Sequence, residues 1–178
     1  MTDQSLTTLL DRDGIRECIV RLARGEDRRD AALLRAVCCP DFTCDHGIST
    51  GTFEDYVAWV VPGSAAIPLT MHTLGQSLIE LRGDAAAAET HVTAYHRMVA
   101  DDGAGDVVIG GRYLDRMAKR DGQWRIAHRT MLYDWYQELG PSVDWARGVM
   151  GLSLPEHSLG RALGDPSEAF LRDPAFGR

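Results

Sequence analysis

Long apolar runs are missing from this chain of 178 residues. The longest, Tyr56–Pro62, falls far short of the about 20 residues that a membrane-spanning helix needs. An excess of positive charge is missing too. Against 19 Lys and Arg stand 26 Asp and Glu, for a net charge of −7, which leaves no electrostatic footprint for nucleic acid. The local cluster of Arg116, Lys119 and Arg120 is flanked by Asp115 and Asp121 and reads as a solvated hairpin. Met1–Leu10 lacks the positive start and apolar stretch of a secretory leader, so a cytoplasmic setting is expected. The four cysteines, Cys18, Cys38, Cys39 and Cys44, do not form the paired CxxC spacing of a zinc site, and reduced, buried thiols are expected. No nucleophile elbow, dinucleotide fingerprint or phosphate loop is present, because Val108–Gly111 is followed by no helix and no Lys-Ser or Lys-Thr. Internal repeats and low-complexity tracts are absent.

What is present fits one globular domain, with 44% apolar and 25% charged residues. Asp11–Gly25 carries Ile15, Ile19, Leu22 and Ala23 at helical spacing, with Asp11 or Asp13 available as a cap. Arg28–Val37 reads as a second short helix capped by Asp30 and ended by Pro40. Phe42–Asp45 reads as a short strand. Thr52 can cap a third helix bearing Phe53, Tyr56, Val57 and Val60. Pro62, Gly63, Ser64 and Pro68 form a loop placed to lie over a pocket mouth. From Met71 the period changes to two. Strands are expected over Met71–Leu78, Ala86–Ala100, Val107–Arg120 and Gln123–Tyr136, joined by Arg82-Gly83-Asp84, by Asp101–Asp106 and by the hairpin pair Asp121-Gly122. Helices followed by a run of antiparallel strands give an α+β order. The domain is expected over residues 1–136, and residues 137–178, with Pro141, Pro155, Pro166 and Pro174, read as an irregular tail that wraps the domain or a neighbouring subunit.

Histidines recur at the same inward parity on successive strands. His72, His96 and His128 each interrupt a face of apolar or small side chains, the first alongside Leu74, Gln76 and Leu78 and the last alongside Trp124, Ile126, Thr130 and Leu132. Buried polar groups cost free energy unless they are bonded. Three on one surface therefore point to a polar pocket in a curved sheet. His91 faces the other way. Asp45-His46 is a loop pair or a pocket edge. No HxH or HxxxH spacing supports a metal, so none is expected.

Asp27 lies in Glu26-Asp27-Arg28-Arg29-Asp30, at the junction of the first two helices. Glu26, Arg28 and Arg29 read as an exposed charged turn. Asp27 falls five residues after Leu22 and eight after Ile19, so it is either part of that turn or turned back towards the buried stripe. Paired with such a carboxylate, His72 becomes a candidate general base. The carboxylate accepts the Nδ1 proton and Nε2 faces the substrate. Arg112 and Arg129 are placed on the outer face.

Several segments resemble the SnoaL-like branch of the nuclear transport factor 2-like superfamily, nearest to its scytalone dehydratase and hexachlorocyclohexane dehydrochlorinase relatives. They are Asp13–Glu17, Glu26–Asp30, Leu69–Gly75, Ile109–Tyr113 and Arg120–Ile126. The resemblance implies a cone of three N-terminal helices packed on a strongly curved antiparallel sheet enclosing a pocket. It implies an Asp–His dyad, here Asp27 and His72, with His96 matching a second inward histidine of the dehydratases. Those dehydratases carry a tyrosine immediately before the Asp; here that position is Glu26. The implied activity is a cofactor-independent lyase acting on a small apolar cyclic or polyketide-like substrate. Asp27, His72 and His96 are then catalytic, while His128, Tyr56, Trp59, Met98 and Leu132 line the substrate. An isomerase using the same base, or a small-ligand-binding module without turnover, is the alternative. The resemblance further implies a homodimer or homotrimer formed through the outer sheet face, where Tyr95, Arg97, Arg112 and Arg129 are expected.

Overall fold

The computed structural model describes residues 3–62, 66–100, 103–144, 147–154 and 160–177. Gly63 and Ser64 of the anticipated mouth loop, Asp101 and Asp102 of the anticipated turn, and Pro155 lie outside the described residues. Helix α1 (Asp3–Arg28) is followed by α2 (Ala31–Val37), β1 (Cys38–Asp45), β2 (Thr50–Thr52) and α3 (Phe53–Val60). Four long strands come next: β3 (Leu69–Arg82), β4 (Ala85–Ala100), β5 (Gly103–Arg120) and β6 (Gln123–Pro141). Two 3₁₀ turns and the short helix α4 (Pro166–Leu171) close the chain.

Helix α1 starts earlier than the apolar stripe suggests, because neither Gly nor Pro interrupts residues 3–13. Asp11 is therefore mid-helix rather than a cap. It accepts from Lys119 Nζ at 2.8 Å and Trp124 Nε1 at 2.9 Å, pinning the β5–β6 hairpin to α1. Ile15, Ile19 and Leu22, each at most 1% exposed, face the sheet. Helix α2 comes so close that a Cβ on Gly25 would lie 2.6 Å from Leu34 Cδ2. Asp30 caps α2 by accepting from Leu33 N, and Thr52 and Asp55 form a reciprocal capping box on α3. Pro40 does not end a helix: α2 already stops at Val37, and Pro40 sits in β1 where pairing to β6 is interrupted between Cys38 and Thr43.

The six strands form one sheet in the order β2-β1-β6-β5-β4-β3. All pairings are antiparallel except β1 with β6, which run parallel, so the sheet is mixed. Its curled inner face packs on the helices around a core that includes Ile15, Ile19, Leu22, Leu34, Phe42, Ile79, Met117 and Ile126. The result is an α+β cone of the nuclear transport factor 2-like kind.

The strands are not regular, and each irregularity inverts parity, since successive side chains take opposite faces. Between Leu74 and Ser77, β3 carries one extra residue against β4. Leu78, expected inside, is 63% exposed, and Ile79 takes the core position at 1%. Gln76 is likewise turned outward. In β6 the partners of Arg116 and Met117 are His128 and Ile126, which leaves Ala127 as the extra residue. Trp124 and Ile126 face inward before it; Arg129 and Met131 do so after it. A further shift opposite Gly110 and Gly111 leaves Asp134 without a register partner on β5, and Trp135 passes so close to Gly110 that a Cβ there would lie 2.0 Å from its ring.

Candidate active site

Three elements meet at the site: the last turn of α1, the start of β3 and the middle of β4. Helix α1 continues its buried stripe through Leu22 and Ala23 to Glu26 and Asp27, so both carboxylates are carried inward, at 5% and 8% exposure. The exposed-turn reading of Glu26 therefore fails. The signal was present in the sequence: Ile15, Ile19, Leu22 and Glu26 follow one another at intervals of four, three and four. Arg29 leaves the helix with φ 54° and reaches into the wall of the site, donating to Val60 O at 2.8 Å and Ile67 O at 3.1 Å. Arg28 pairs with Asp165 at 2.8 Å.

Asp27 is held three times over by the start of β3. It accepts from His72 Nδ1 at 2.7 Å, from the His72 backbone N–H at 2.9 Å and from Thr70 Oγ1 at 3.1 Å. The tautomer with Nδ1–H is thereby fixed, and Nε2 is turned the other way. Nε2 stands 3.6 Å from Glu26 Oε2, beyond hydrogen-bond length. The other Glu26 oxygen, Oε1, accepts a 2.5 Å bond from Tyr56, whose ring is fully buried. Oε2 is buried without a partner among the described residues.

Burial alone pushes the His72 imidazole down. The charge of Glu26, the Asp27 hydrogen bond and the Asp27 charge outweigh that penalty and hold it above the ordinary histidine value. His96 lies edge-on to His72 with ring centroids 6.0 Å apart. Its Nδ1 is 3.3 Å from Ala94 O, and burial, helped by the nearby His72 charge, lowers its pKa. His46 stacks on Tyr56 at 5.9 Å, and burial pushes it down to about 4, so it is neutral.

These groups border a cavity of about 220 Å³. Glu26, Thr70, His72 and His96 form a polar end, and Trp59, Met98, Ile109, Met131 and Tyr136 are among the apolar walls. An apolar cavity of ~150 Å³ is enough to hold benzene, so the space suits a small ring compound. Tyr113 also lines it, with the Arg129 guanidinium over its ring at 3.7 Å.

Of the residues expected from the sequence, Asp27, His72, His96, Trp59 and Met98 come together here. Tyr56 stands behind the wall and reaches the cavity only through Glu26 and His46. His128 and Leu132 are not brought to it. The extra residue at Ala127 turns His128 to the outer face, where Nδ1 meets Thr43 Oγ1 at 2.7 Å and Nε2 meets Thr130 Oγ1 at 3.1 Å. Leu132 alternates with the inward Met131 and faces outward as well. The same inversion corrects Arg129. It is not on the surface but fully buried, and both of its bonds to Asp115 are 2.8 Å. His46, left open between loop and pocket edge, lines the cavity. No group of His, Cys, Asp and Glu among the described residues is arranged to hold a metal ion.

Helices packed on one curled six-stranded sheet place the chain in the nuclear transport factor 2-like class. More narrowly, the chain belongs to the SnoaL-like domain family, whose model matches residues 7–130. No curated protein matches the sequence. Among solved structures, the chain resembles the Kfla4162 protein from Kribbella flavida, at 24% identity and TM-score 0.66, covering 73% of this chain and 95% of that one. It also resembles a putative scytalone dehydratase from Novosphingobium aromaticivorans DSM 12444, at 19% identity and TM-score 0.67, covering 78% and 94%. A third likeness is to the hexachlorocyclohexane dehydrochlorinase LinA-type3 from Novosphingobium barchaimii LL02, at 20% identity and TM-score 0.69, covering 79% and 99%. At these identities the likeness is one of fold.

Proposed function

We propose that the chain is a lyase that removes a proton from carbon, with His72 as general base and Asp27 as the group that orients it. The observation that carries this reading is the triple hold on Asp27, which leaves Nε2 of a rigid imidazole facing a mostly apolar cavity. Neutral His72 takes the proton on Nε2. Asp27 stabilises the imidazolium that results, and the leaving group departs from the neighbouring carbon with His96 beside it. A positioned base contributes ~10²–10⁴-fold in rate, and orientation in a dry pocket supplies more. The substrate is a small apolar cyclic or polyketide-like molecule, in keeping with the walls. Two of the structures named above, a putative scytalone dehydratase and a hexachlorocyclohexane dehydrochlorinase, are named for eliminations, which supports this reading.

The test is elimination measured on a panel of small cyclic β-hydroxy and β-halo ketones. His72→Ala abolishes product formation while the melting curve stays cooperative, and Asp27→Asn slows it by at least ~10²-fold. Full activity in His72→Ala would reject the base.

An isomerase built on the same base is the second reading, and Tyr113 favours it. Tyr113 lines the cavity, and burial holds its phenol well above the ordinary value, so its hydroxyl stays protonated and can donate to an enolate oxygen. A shifted double bond with no group lost would identify that reaction. Binding without turnover of any ketone would identify a ligand-binding module. We further propose a homodimer or homotrimer assembled through the outer sheet face, which shows Met71 at 57% and Leu78 at 63% exposure.

A further inference from the structure

Glu26 is not used by the base described above, and its state is unusual for a buried carboxylate. One oxygen is saturated by the Tyr56 hydroxyl, while Glu26 lines the cavity and its Oε2 is buried with no hydrogen-bond partner among the described residues. A buried acceptor left unpaired costs free energy that a ligand's donor recovers. The atom closest to it in the machinery is His72 Nε2 at 3.6 Å, the proton-accepting position. Beyond this polar end the walls include Trp59, Met98, Ile109 and Met131, so the missing partner is a polar group on an otherwise apolar molecule.

We propose that Glu26 is a second catalytic residue that binds a substrate hydroxyl through Oε2 and protonates it as it leaves, which makes the substrate class a small cyclic β-hydroxy ketone rather than a halide. This rests on the elimination reading and narrows it. At rest His72 is neutral and Glu26 is a carboxylate. The C–H pair becomes the new C=C bond as its proton passes to His72 Nε2. That proton crosses the 3.6 Å gap from Nε2 to Glu26 Oε2. The C–O bond breaks with its electron pair going to oxygen, and that oxygen takes the same proton from Oε2 and departs as water. His72 is then neutral and Glu26 a carboxylate again, and the site is reset without an outside acid. A halide leaves as an anion and needs no such donor, so a dehydrohalogenase has no use for the arrangement. Tyr56 acts through Glu26: its hydroxyl fixes Oε1 and so aims Oε2.

The experiment uses 3-hydroxycyclohexanone and its hydroxyl-free counterpart 3-methylcyclohexanone, with binding followed by calorimetry and chemistry by NMR in D₂O. The wild-type chain binds the alcohol at least about tenfold more tightly, as a hydrogen bond to a buried charged group implies. The double variant Glu26→Leu with Tyr56→Phe removes donor and acceptor together and erases the preference. An alcohol that is bound no better than the methyl ketone, or not bound, overturns the proposal in the wild-type chain without recourse to any variant. So does a preference that survives in the double variant.

The chemical arm separates the two claims. Deuterium exchange at C2 reports proton abstraction by His72, and formation of cyclohexenone reports loss of water. Glu26→Gln keeps C2 exchange and slows water loss by ~10²-fold or more. Equal rates of water loss in Glu26→Gln and wild type would overturn Glu26 as the acid. Absence of C2 exchange with the alcohol preference intact would overturn the elimination step, while recognition of the hydroxyl by Glu26 stands.

Discussion

At the scale of single residues, the site is governed by which charges share a small dry volume. His72 lies between two carboxylates that together outweigh its burial, so its pKa is raised. A base works in its neutral form, so kcat/KM rises with pH through that raised value. The acid limb of the profile should have its midpoint above the ordinary histidine pKa of ~6.5. Replacing Glu26 by Gln removes the largest charge holding the ring up, and the midpoint should fall; a pH–rate profile on both forms checks this. His46 is the opposite case. Burial lowers it from 6.5 to about 4, so the folded state keeps the ring neutral while the unfolded chain takes up a proton. Stability from this residue is complete above the unfolded value and is lost as pH falls from 6.5 towards 4, by ~3 kcal/mol over the window. His46→Phe keeps a ring against Tyr56 and should flatten the acid loss, read from urea melts at pH 7 and pH 4.5.

At the scale of elements, the strand irregularities decide more than the strands do. One extra residue in β6 carries Arg129 into the interior and sends His128 out of it. The buried guanidinium is tolerated because Asp115 on β5 meets it with two bonds and the Tyr113 ring covers it. Such a pair adds little net stability, but removing one member leaves an unpaired charge. Asp115→Asn should cost about 3–5 kcal/mol in denaturant unfolding, whereas exchanging both residues for apolar ones of similar volume should cost far less. Periodicity over 123–136 predicted a strand, and a strand is there. It could not predict the inversion, because a bulge is a property of two paired strands and not of one.

At the scale of the whole molecule, the chain returns to the site from its far end. Beyond Pro141, Arg161 donates to the backbone carbonyls of Asp27 at 2.9 Å and of Pro68, tying the α1 turn to the segment that enters β3. Arg24 bonds Glu168 at 2.7 Å and Ser167 at 3.0 Å, and the Arg28–Asp165 pair completes the seam. The outer sheet face leaves Met71 and Leu78 exposed, and Arg112 there is paired within the chain to Asp134 at 3.0 Å and Glu89 at 3.5 Å. Light scattering should give the mass of two or three chains in solution, and Leu78→Glu on that face should lower it. A wild-type mass of one chain removes the proposed assembly.

The apolar stripe of α1, the cap residues Asp30 and Thr52, the change of period at residue 71 and the turn Asp121-Gly122 are local patterns. They depend only on neighbours along the chain, and they determined the α+β order and the approximate element positions, while the pairing of Asp27 with His72 was implied only by the family resemblance. Depth within a curved sheet depends on register between strands and on how closely α1 meets α2, and no single segment encodes it. For that reason only the tertiary structure decided that Glu26, His46 and Arg129 are interior. It likewise decided that His128 and Leu132 are not, and that one oxygen of Glu26 is buried with no hydrogen-bond partner among the described residues.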